Sequence, residues 1–175
     1  MSIDFSVYKK DFPIFERKVR GGHSLVYLDS GATSQKPNSV IEAEINFYRN
    51  INAAVHRGAH LLAEEASEAY ESARANVANF IGANPAEVIF TKSATESLNV
   101  LAYSFGNSNS GIHIGKGDEI VVTELEHHAN LIPWQQLAKR TGAKIRWFNV
   151  SENGRIDLSN IADLISSKCK LVAIT

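Results

Sequence analysis

The sequence has 175 residues, of which 44% are hydrophobic and 21% are charged, and a formal net charge of −1. This composition is typical of a globular protein, and the balanced charge argues against nucleic acid or an anionic membrane as the main partner. Because the sequence has no apolar run of membrane-spanning length, no signal-peptide pattern and only one cysteine, Cys169, we expect a cytoplasmic protein without a disulfide framework.

The first half of the chain is predicted to be mainly helical. A short helix is expected near residues 7–11, and a short strand over residues 24–28. Helical spacing of apolar residues predicts a helix over 39–50. A longer helix is predicted over 61–81, where apolar residues recur at intervals of three and four, and Gly82 is well placed to end it.

From residue 88 onward, strand and helix patterns alternate. The predicted strands cover 88–91, 119–123, 144–150 and 170–175, and the predicted helices cover 96–103, 130–141 and 158–167. Asn153 and Gly154 are placed at the tip of a turn, and Asp157 is expected to cap the last helix. Because such alternation is typical of a parallel sheet flanked by helices, we predict an α/β fold.

The segment 91–99 is the first candidate for chemistry, since an apolar run turns there into a helix with small hydroxyl residues at the turn. A helix N-terminus presents free backbone N–H groups and the positive end of the helix dipole, which favour a phosphate group. Ser93 and Thr95 have hydroxyls that suit the same ligand. An ordinary helix cap remains the alternative interpretation of these residues.

A second polar cluster, Glu126-His127-His128, follows the next predicted strand. Histidine titrates near neutral pH, so one of the two rings suits proton transfer against a flat cofactor while the other supports the loop. The alternative is a pair of loop histidines without a catalytic role.

Two further segments contain small or charged residues in loops. In 29–34, small side chains would let a ligand approach the backbone, although a simple turn explains them equally well. In the second segment Arg57 offers a planar guanidinium for a carboxylate or phosphate. His56 and His60 lie four residues apart, but no cysteine or acidic ligand accompanies them at metal spacing, so we predict no metal site.

Four motifs taken together resemble the N-terminal part of a cysteine desulfurase of the Suf type, in the class V aminotransferase-like group of pyridoxal-phosphate enzymes. They are YLDSGATSQKP (27–37), NAAVHRGAH (52–60), TESLN (95–99) and EHHANLIPW (126–134). The resemblance covers essentially the whole chain but matches less than half of such an enzyme. It implies a fold-type-I large domain, incomplete over 23–175, preceded by a small-domain helical segment over 1–22.

The resemblance also implies an activity and a cofactor. Members of this group convert L-cysteine into L-alanine as homodimers and pass the sulfur to an acceptor protein for iron–sulfur cluster assembly. They hold pyridoxal 5′-phosphate as a lysine Schiff base, and the cofactor acts as the electron sink. By position, Thr95 and the backbone N–H groups of Ala94 and Thr95 resemble the phosphate-binding residues. His127 resembles the histidine that stacks on the pyridine ring and moves protons.

Three other residues gain expected roles in the same way. Ala32 resembles part of the loop on the substrate side of the cofactor. His56 and Arg57 resemble the segment that lies near the site at the dimer interface.

The resemblance further implies residues that this chain does not match. The family uses a Schiff-base lysine, an aspartate at the pyridine nitrogen and a cysteine nucleophile, and Cys169 does not match the nucleophile. None of the residues Lys92, Lys168 and Lys170 matches the position of the Schiff-base lysine. We therefore expect an enzyme fragment that is marginally stable and inactive alone. A truncated or split non-catalytic chain, and a related selenocysteine lyase or class V aminotransferase, remain alternatives.

Overall fold

The computed structural model describes residues 4–175. The chain divides into two compact units, Met1–Val88 and Ile89–Thr175. No helix within residues 4–175 combines the length and the apolar character that a membrane crossing requires. The predicted domain boundary near residue 22 stays a prediction.

The first unit is built from helices and short helical turns. Its α-helices are α1 (Ser6–Lys9), α2 (Asn38–Asn46) and α3 (Leu61–Ile81), and a π-helical turn, Phe47–Ile51, follows α2 directly. Single 3₁₀ turns cover Pro13–Glu16, Arg20–Gly22 and Pro85–Glu87. The predicted helical character of this half is confirmed.

Helix α3 has the predicted boundaries, and both of its ends have a local cause. At the start, the His60 imidazole accepts a hydrogen bond from the backbone N–H of Ala63. At the end, Gly82 has φ 71°, a left-handed conformation that costs glycine little. Small buried side chains, Ala63, Ala66 and Ala78, lie on its packed face.

The second unit alternates helices and strands. In chain order they are α4 (Ala94–Phe105), β1 (Glu119–Thr123), α5 (Ile132–Thr141), β2 (Lys144–Phe148), α6 (Ile161–Leu164) and β3 (Cys169–Ala173). A 3₁₀ turn, His128–Asn130, stands between β1 and α5. Gly142 ends α5 with φ 78°, and the Asn153-Gly154 turn has Gly154 at φ 75°.

The three strands form a parallel sheet in the order β2-β1-β3, as the alternating pattern predicts. All five residues of β1 are buried, which is typical of a strand covered on both faces. Ile120 and Val122 pack with α4 and α5 on one face. Val121 packs with Phe148 and Leu164 on the other face.

One ion pair joins the amino end of β1 to the centre of β2. Glu119 is buried, and its carboxylate accepts hydrogen bonds of 3.1 and 3.2 Å from the Arg146 guanidinium. A buried carboxylate without such a partner is strongly unfavourable, so Arg146 makes the burial of Glu119 possible.

Close contact between α4 and α5 depends on a glycine. A Cβ atom at Gly106 would lie 2.9 Å from the Leu137 side chain and 2.8 Å from the Arg140 guanidinium. Arg140 also donates a 3.0 Å hydrogen bond to the Ala102 carbonyl and lies over the Tyr103 ring. The end of α4 is thereby fixed against α5.

Three predicted elements differ from the structure. Residues 24–28 and 88–91 do not form strands: Leu28 is 92% exposed and Ile89 is 74% exposed, and an extended segment becomes a strand only when a partner pairs with it. The helix predicted over 158–167 is reduced to the single turn α6. Asp157 does not cap α6, because α6 begins at Ile161 with Asn160 as its N-cap; the Asp157 carboxylate accepts a hydrogen bond from the Ser159 N–H in the turn before it.

The central position of β1 generates a stability prediction. Ile120→Ala should lower the free energy of unfolding by about 2–5 kcal/mol, because it leaves a cavity at a fully buried position. Urea titration followed by circular dichroism measures the change. Ile112→Ala is the matched control: that side chain is 56% exposed, and its loss should change the free energy by less than about 0.5 kcal/mol. Equal effects of the two substitutions would contradict the assignment of this core.

Candidate active site at the carboxyl edge of the sheet

The N-terminus of α4 has a well-defined cap. Ser93 is extended, with φ −167°, and its hydroxyl accepts a 3.2 Å hydrogen bond from the Glu96 N–H. The Glu96 carboxylate accepts a 2.6 Å hydrogen bond from the Lys92 N–H. An acidic side chain in the first turn is favourable there because of the helix dipole. The ordinary-cap interpretation of Ser93 is therefore correct.

The cap leaves two donors open. Among the described residues 4–175, no acceptor bonds the backbone N–H of Ala94 or of Thr95. Both residues are exposed. Free N–H groups in the first turn of a twelve-residue helix attract an anion through hydrogen bonding and through the helix dipole.

His127 follows the end of β1 and introduces the 3₁₀ turn His128–Asn130. Its Nδ1 accepts a 3.1 Å hydrogen bond from the Ala129 N–H. An imidazole nitrogen that accepts a hydrogen bond has no proton, so the proton of the neutral ring lies on Nε2. His127 is exposed, and its Nε2 is available to a ligand.

Two neighbouring surface depressions share the His127 and Ala129 side chains. One, of about 330 Å³, is also lined by Thr95, Asn99 and His128. The other, of about 550 Å³, is lined by residues that include Ala94, Ser97, Asn130 and Thr175. The start of α4 and the loop after β1 therefore line the same concave surface, as expected at the carboxyl edge of a parallel sheet.

The two histidines have different environments, but not in the way that the sequence indicates. Their ring centroids are 6.3 Å apart and the rings are tilted by 50°. His127 makes the hydrogen bond that supports the loop and also lines both depressions, whereas His128 lines only one of them. His127 therefore both supports the loop and lines the concave surface, whereas the sequence assigns these two positions to different histidines.

Glu126 holds the loop to the sheet. Its carboxylate accepts hydrogen bonds from the side chains of Thr123 (2.7 Å), Asn130 (2.7 Å) and Thr175 (2.6 Å), and from the Thr175 backbone N–H (3.1 Å). Burial raises the pKa of Glu126, but the hydrogen bonds from Thr175, Thr123 and Asn130 outweigh burial and hold the pKa below its usual value. The carboxylate is therefore ionised at neutral pH.

Sequence reasoning missed this arrangement. Thr175 lies 49 residues from Glu126, and only the pairing of β1 with β3 brings the two together. The only signal in the sequence was that a polar residue, Glu126 or Thr175, follows each of two apolar strands. This signal indicates a contact between the two residues only when β1 and β3 are known to be neighbours in the sheet.

The remaining predicted site residues, Ala32, His56 and Arg57, lie in the first unit. The Ala32 N–H donates to the Asp29 carbonyl over 3.1 Å, so this segment is a turn. His56 adopts φ 59°, and its Nε2 lies 3.1 Å from the Glu71 carboxylate. Arg57 is exposed. The structure thus brings together Ala94, Thr95 and His127, and the roles of the other three stay predictions.

The chain matches the family model for aminotransferase class-V over residues 26–175. This protein belongs to the aminotransferase class-V family. Probable cysteine desulfurases of Streptomyces coelicolor and Mycobacterium leprae are each 53% identical to it, over 98% and 99% of this chain. A solved structure of the apo cysteine desulfurase from Thermococcus onnurineus is 37% identical, with a TM-score of 0.84 over 99% of this chain.

These relatives are longer than the chain. The match spans 41% of each of the two curated relatives and 40% of the Thermococcus protein. The resemblance to cysteine desulfurases and the expected match to less than half of such an enzyme are both confirmed. The parallel sheet flanked by helices agrees with the fold of these relatives.

The lowered pKa of Glu126 generates a prediction about pH. A carboxyl group with a depressed folded-state pKa contributes stability above the pKa of an ordinary glutamate, about 4.3, and this contribution is lost as pH falls through the folded-state value. Between neutral pH and pH about 3, Glu126→Gln should therefore show a smaller loss of unfolding free energy than the parent protein. Urea titrations over this range measure the difference. Glu152→Gln, at an exposed glutamate, should behave like the parent. Parallel pH profiles for the parent and Glu126→Gln would contradict the prediction.

Proposed function

We propose that this chain provides the phosphate-binding and ring-contacting part of a pyridoxal-phosphate-dependent cysteine desulfurase. The observation that carries the proposal is the pair of free N–H groups, on Ala94 and Thr95, that share one concave surface with His127. The relatives named as cysteine desulfurases support the choice of reaction. In this reaction L-cysteine becomes L-alanine, and the sulfur passes to an acceptor for iron–sulfur cluster assembly.

The residues present fit the cofactor phosphate. A phosphate group needs several donors and no nearby competing anion at the point of contact. Ala94 and Thr95 offer backbone N–H groups, and Thr95 adds a hydroxyl. The Glu96 carboxylate is turned to the Lys92 N–H, so that it occupies a different donor and leaves these two open.

Pyridoxal phosphate, when bound, supplies an electron sink for a substrate carbanion, and the protein provides orientation and proton transfer. His127 provides a planar ring and an Nε2–H. Because its Nδ1 is engaged by the Ala129 N–H, the neutral ring donates a hydrogen bond from Nε2 and accepts none there. We therefore assign the neutral His127 ring the role of a hydrogen-bond donor at Nε2. To transfer the Nε2 proton, the ring must first take up a proton at Nδ1, because a neutral imidazole that lost its Nε2 proton would become an unfavourable imidazolate anion.

Further parts of the proposal concern the whole enzyme. We propose an L-cysteine substrate, a protein that accepts the sulfur, a homodimer and a cytoplasmic location, as the resemblance implies. Ala32 is proposed to belong to the loop on the substrate side of the cofactor, and His56 and Arg57 to the segment near the site at the dimer interface, as the resemblance implies.

The phosphate assignment is tested with pyridoxamine 5′-phosphate, which has the ring and the phosphate but no aldehyde that reacts with lysines. Ala94→Pro removes one N–H at the first position of α4, where proline is tolerated, and the extended Ser93 before it accepts a following proline. Affinity should fall about 10- to 100-fold, as expected for one hydrogen bond to a charged group. Calorimetric titration measures it.

Ala94→Gly is the matched control for this substitution, since it retains the N–H at the same position, adds no further donor and should bind like the parent. Inorganic phosphate should compete with the ligand in the parent. Equal affinities of Ala94→Pro and Ala94→Gly, with both variants folded by circular dichroism, would contradict the phosphate assignment.

The role of His127 is tested by turnover in the gene product that carries this sequence. His127→Ala should lower the rate of alanine formation from L-cysteine about 10²- to 10⁴-fold, the usual contribution of a positioned acid or base. It should also alter the visible absorption of bound pyridoxal phosphate. His113→Ala, in the loop before β1 and outside both depressions, is the control and should retain the parent rate. An unchanged rate and spectrum in His127→Ala would remove this residue from the mechanism.

A further inference from the structure

Glu126 has more hydrogen bonds than its position on an exposed loop requires. Four donors contact its two carboxylate oxygens, and they come from the end of β1, the end of the 3₁₀ turn and the segment after β3. Ordering a glutamate side chain costs conformational entropy, and several hydrogen bonds to one carboxylate offset that cost. The network therefore fixes three segments relative to one another.

Asn130 extends the network toward the core. Its Nδ2 donates to Glu126 over 2.7 Å, and its Oδ1 accepts from the Trp134 indole N–H over 3.0 Å. Both partners demand the same orientation of the amide, because the carboxylate only accepts and the indole only donates. Trp134 is 2% exposed, so Asn130 connects Glu126 to a side chain that is locked in the core.

The 3₁₀ turn that Asn130 ends is also the turn that orients His127. The Asn130 N–H donates to the His127 carbonyl over 2.8 Å, and the Ala129 N–H donates to His127 Nδ1 over 3.1 Å. If Asn130 moves, the Ala129 N–H moves with it, because the two residues are adjacent in one tight turn. The Asn130 side chain and the Ala129 N–H that bonds His127 Nδ1 thus belong to the same turn.

We propose that Glu126 is a positioning residue for His127: its carboxylate fixes Asn130 and the 3₁₀ turn, and thereby holds His127 Nδ1 as an acceptor with the ring proton on Nε2. This inference deepens the proposed function: that the Nε2 proton serves the cofactor or substrate rests on that proposal. Glu126 does not line either depression and acts only through the turn.

A glutamine cannot replace the carboxylate in this arrangement. Its side chain has one acceptor oxygen and one donor group, so its NH₂ would face either the Asn130 amide or the Thr175 N–H. Two donors opposed in a partly buried place repel each other and leave one bond unmade. The lowered pKa of Glu126 agrees with a carboxylate that stays ionised while these donors are present.

The experiment records ¹⁵N resonances of the histidine rings in the parent protein and in Glu126→Gln. The His127 signals are assigned from their loss in His127→Gln. In the parent we expect the Nε2–H tautomer to dominate. In Glu126→Gln the ratio of the two tautomers should shift about fivefold toward Nδ1–H, the change that follows from losing one net hydrogen bond. The Trp134 indole N–H resonance should shift as well.

The matched control is Glu124→Gln. Glu124 lies in the same loop and is exposed, and its Oε2 accepts one hydrogen bond of 2.8 Å from the Val150 N–H, which a glutamine oxygen also accepts. This variant should show the parent tautomer ratio. Thr175→Val and Thr175→Ser form a second pair, which removes or keeps the hydroxyl donor without changing the charge. Only Thr175→Val should move the ratio.

An unchanged His127 tautomer ratio in Glu126→Gln would overturn the proposal. If Glu126→Gln fails to fold, an unchanged ratio in Thr175→Val would overturn it equally. The measurement uses no ligand, so its outcome is separate from that of the cofactor proposal. A shifted tautomer ratio in a protein that does not bind pyridoxamine 5′-phosphate would support the positioning role and reject the phosphate assignment.

Discussion

Parallel pairing of β1 with a strand on each side is the constraint on which the candidate site depends. Parallel strands end at the same edge of a sheet, so the residues after β1 and after β3 come together there although the sequence separates them. Glu126 and Thr175 are such residues, and their contact closes the loop that contains His127. The buried, fully apolar centre of β1 specifies this register, since a shift by one residue would move Ile120 and Val122 away from α4 and α5 to the opposite face of the sheet.

The parts of the fold that the sequence predicts well have a local cause. The bounds of α3 follow from a stripe of apolar residues and from Gly82, and those of β1 follow from a short apolar run that is buried on both faces. The parts that it predicts poorly depend on partners distant in sequence. Residues 24–28 and 88–91 have the composition of strands, but a strand exists only where another strand accepts its hydrogen bonds. The prediction of a helix over 158–167 was wrong in length. Only Leu164 of α6 is buried, so little packing supports a longer helix there.

The candidate site also has features that the sequence predicts and features that depend on contacts between distant segments. The hydroxyl-rich start of α4 predicts both a helix cap and a phosphate cradle, and the two interpretations are compatible, since Ser93 engages the Glu96 N–H and leaves Ala94 and Thr95 with open donors. The histidine pair was visible in the sequence as a candidate for proton transfer. The tautomer of His127 was not, because it depends on one backbone N–H in a tight turn. The network around Glu126 required the strand order.

Gly106 protects one hydrogen bond between α4 and α5. A Cβ atom at 106 would meet the tips of two flexible side chains, Leu137 and Arg140, which can turn aside while the helix stays in place. The Arg140 guanidinium would then move away from the Ala102 carbonyl, to which it now donates a hydrogen bond of 3.0 Å. Alanine at this position would therefore act on the carboxyl end of α4 through the loss of a polar contact between the helices.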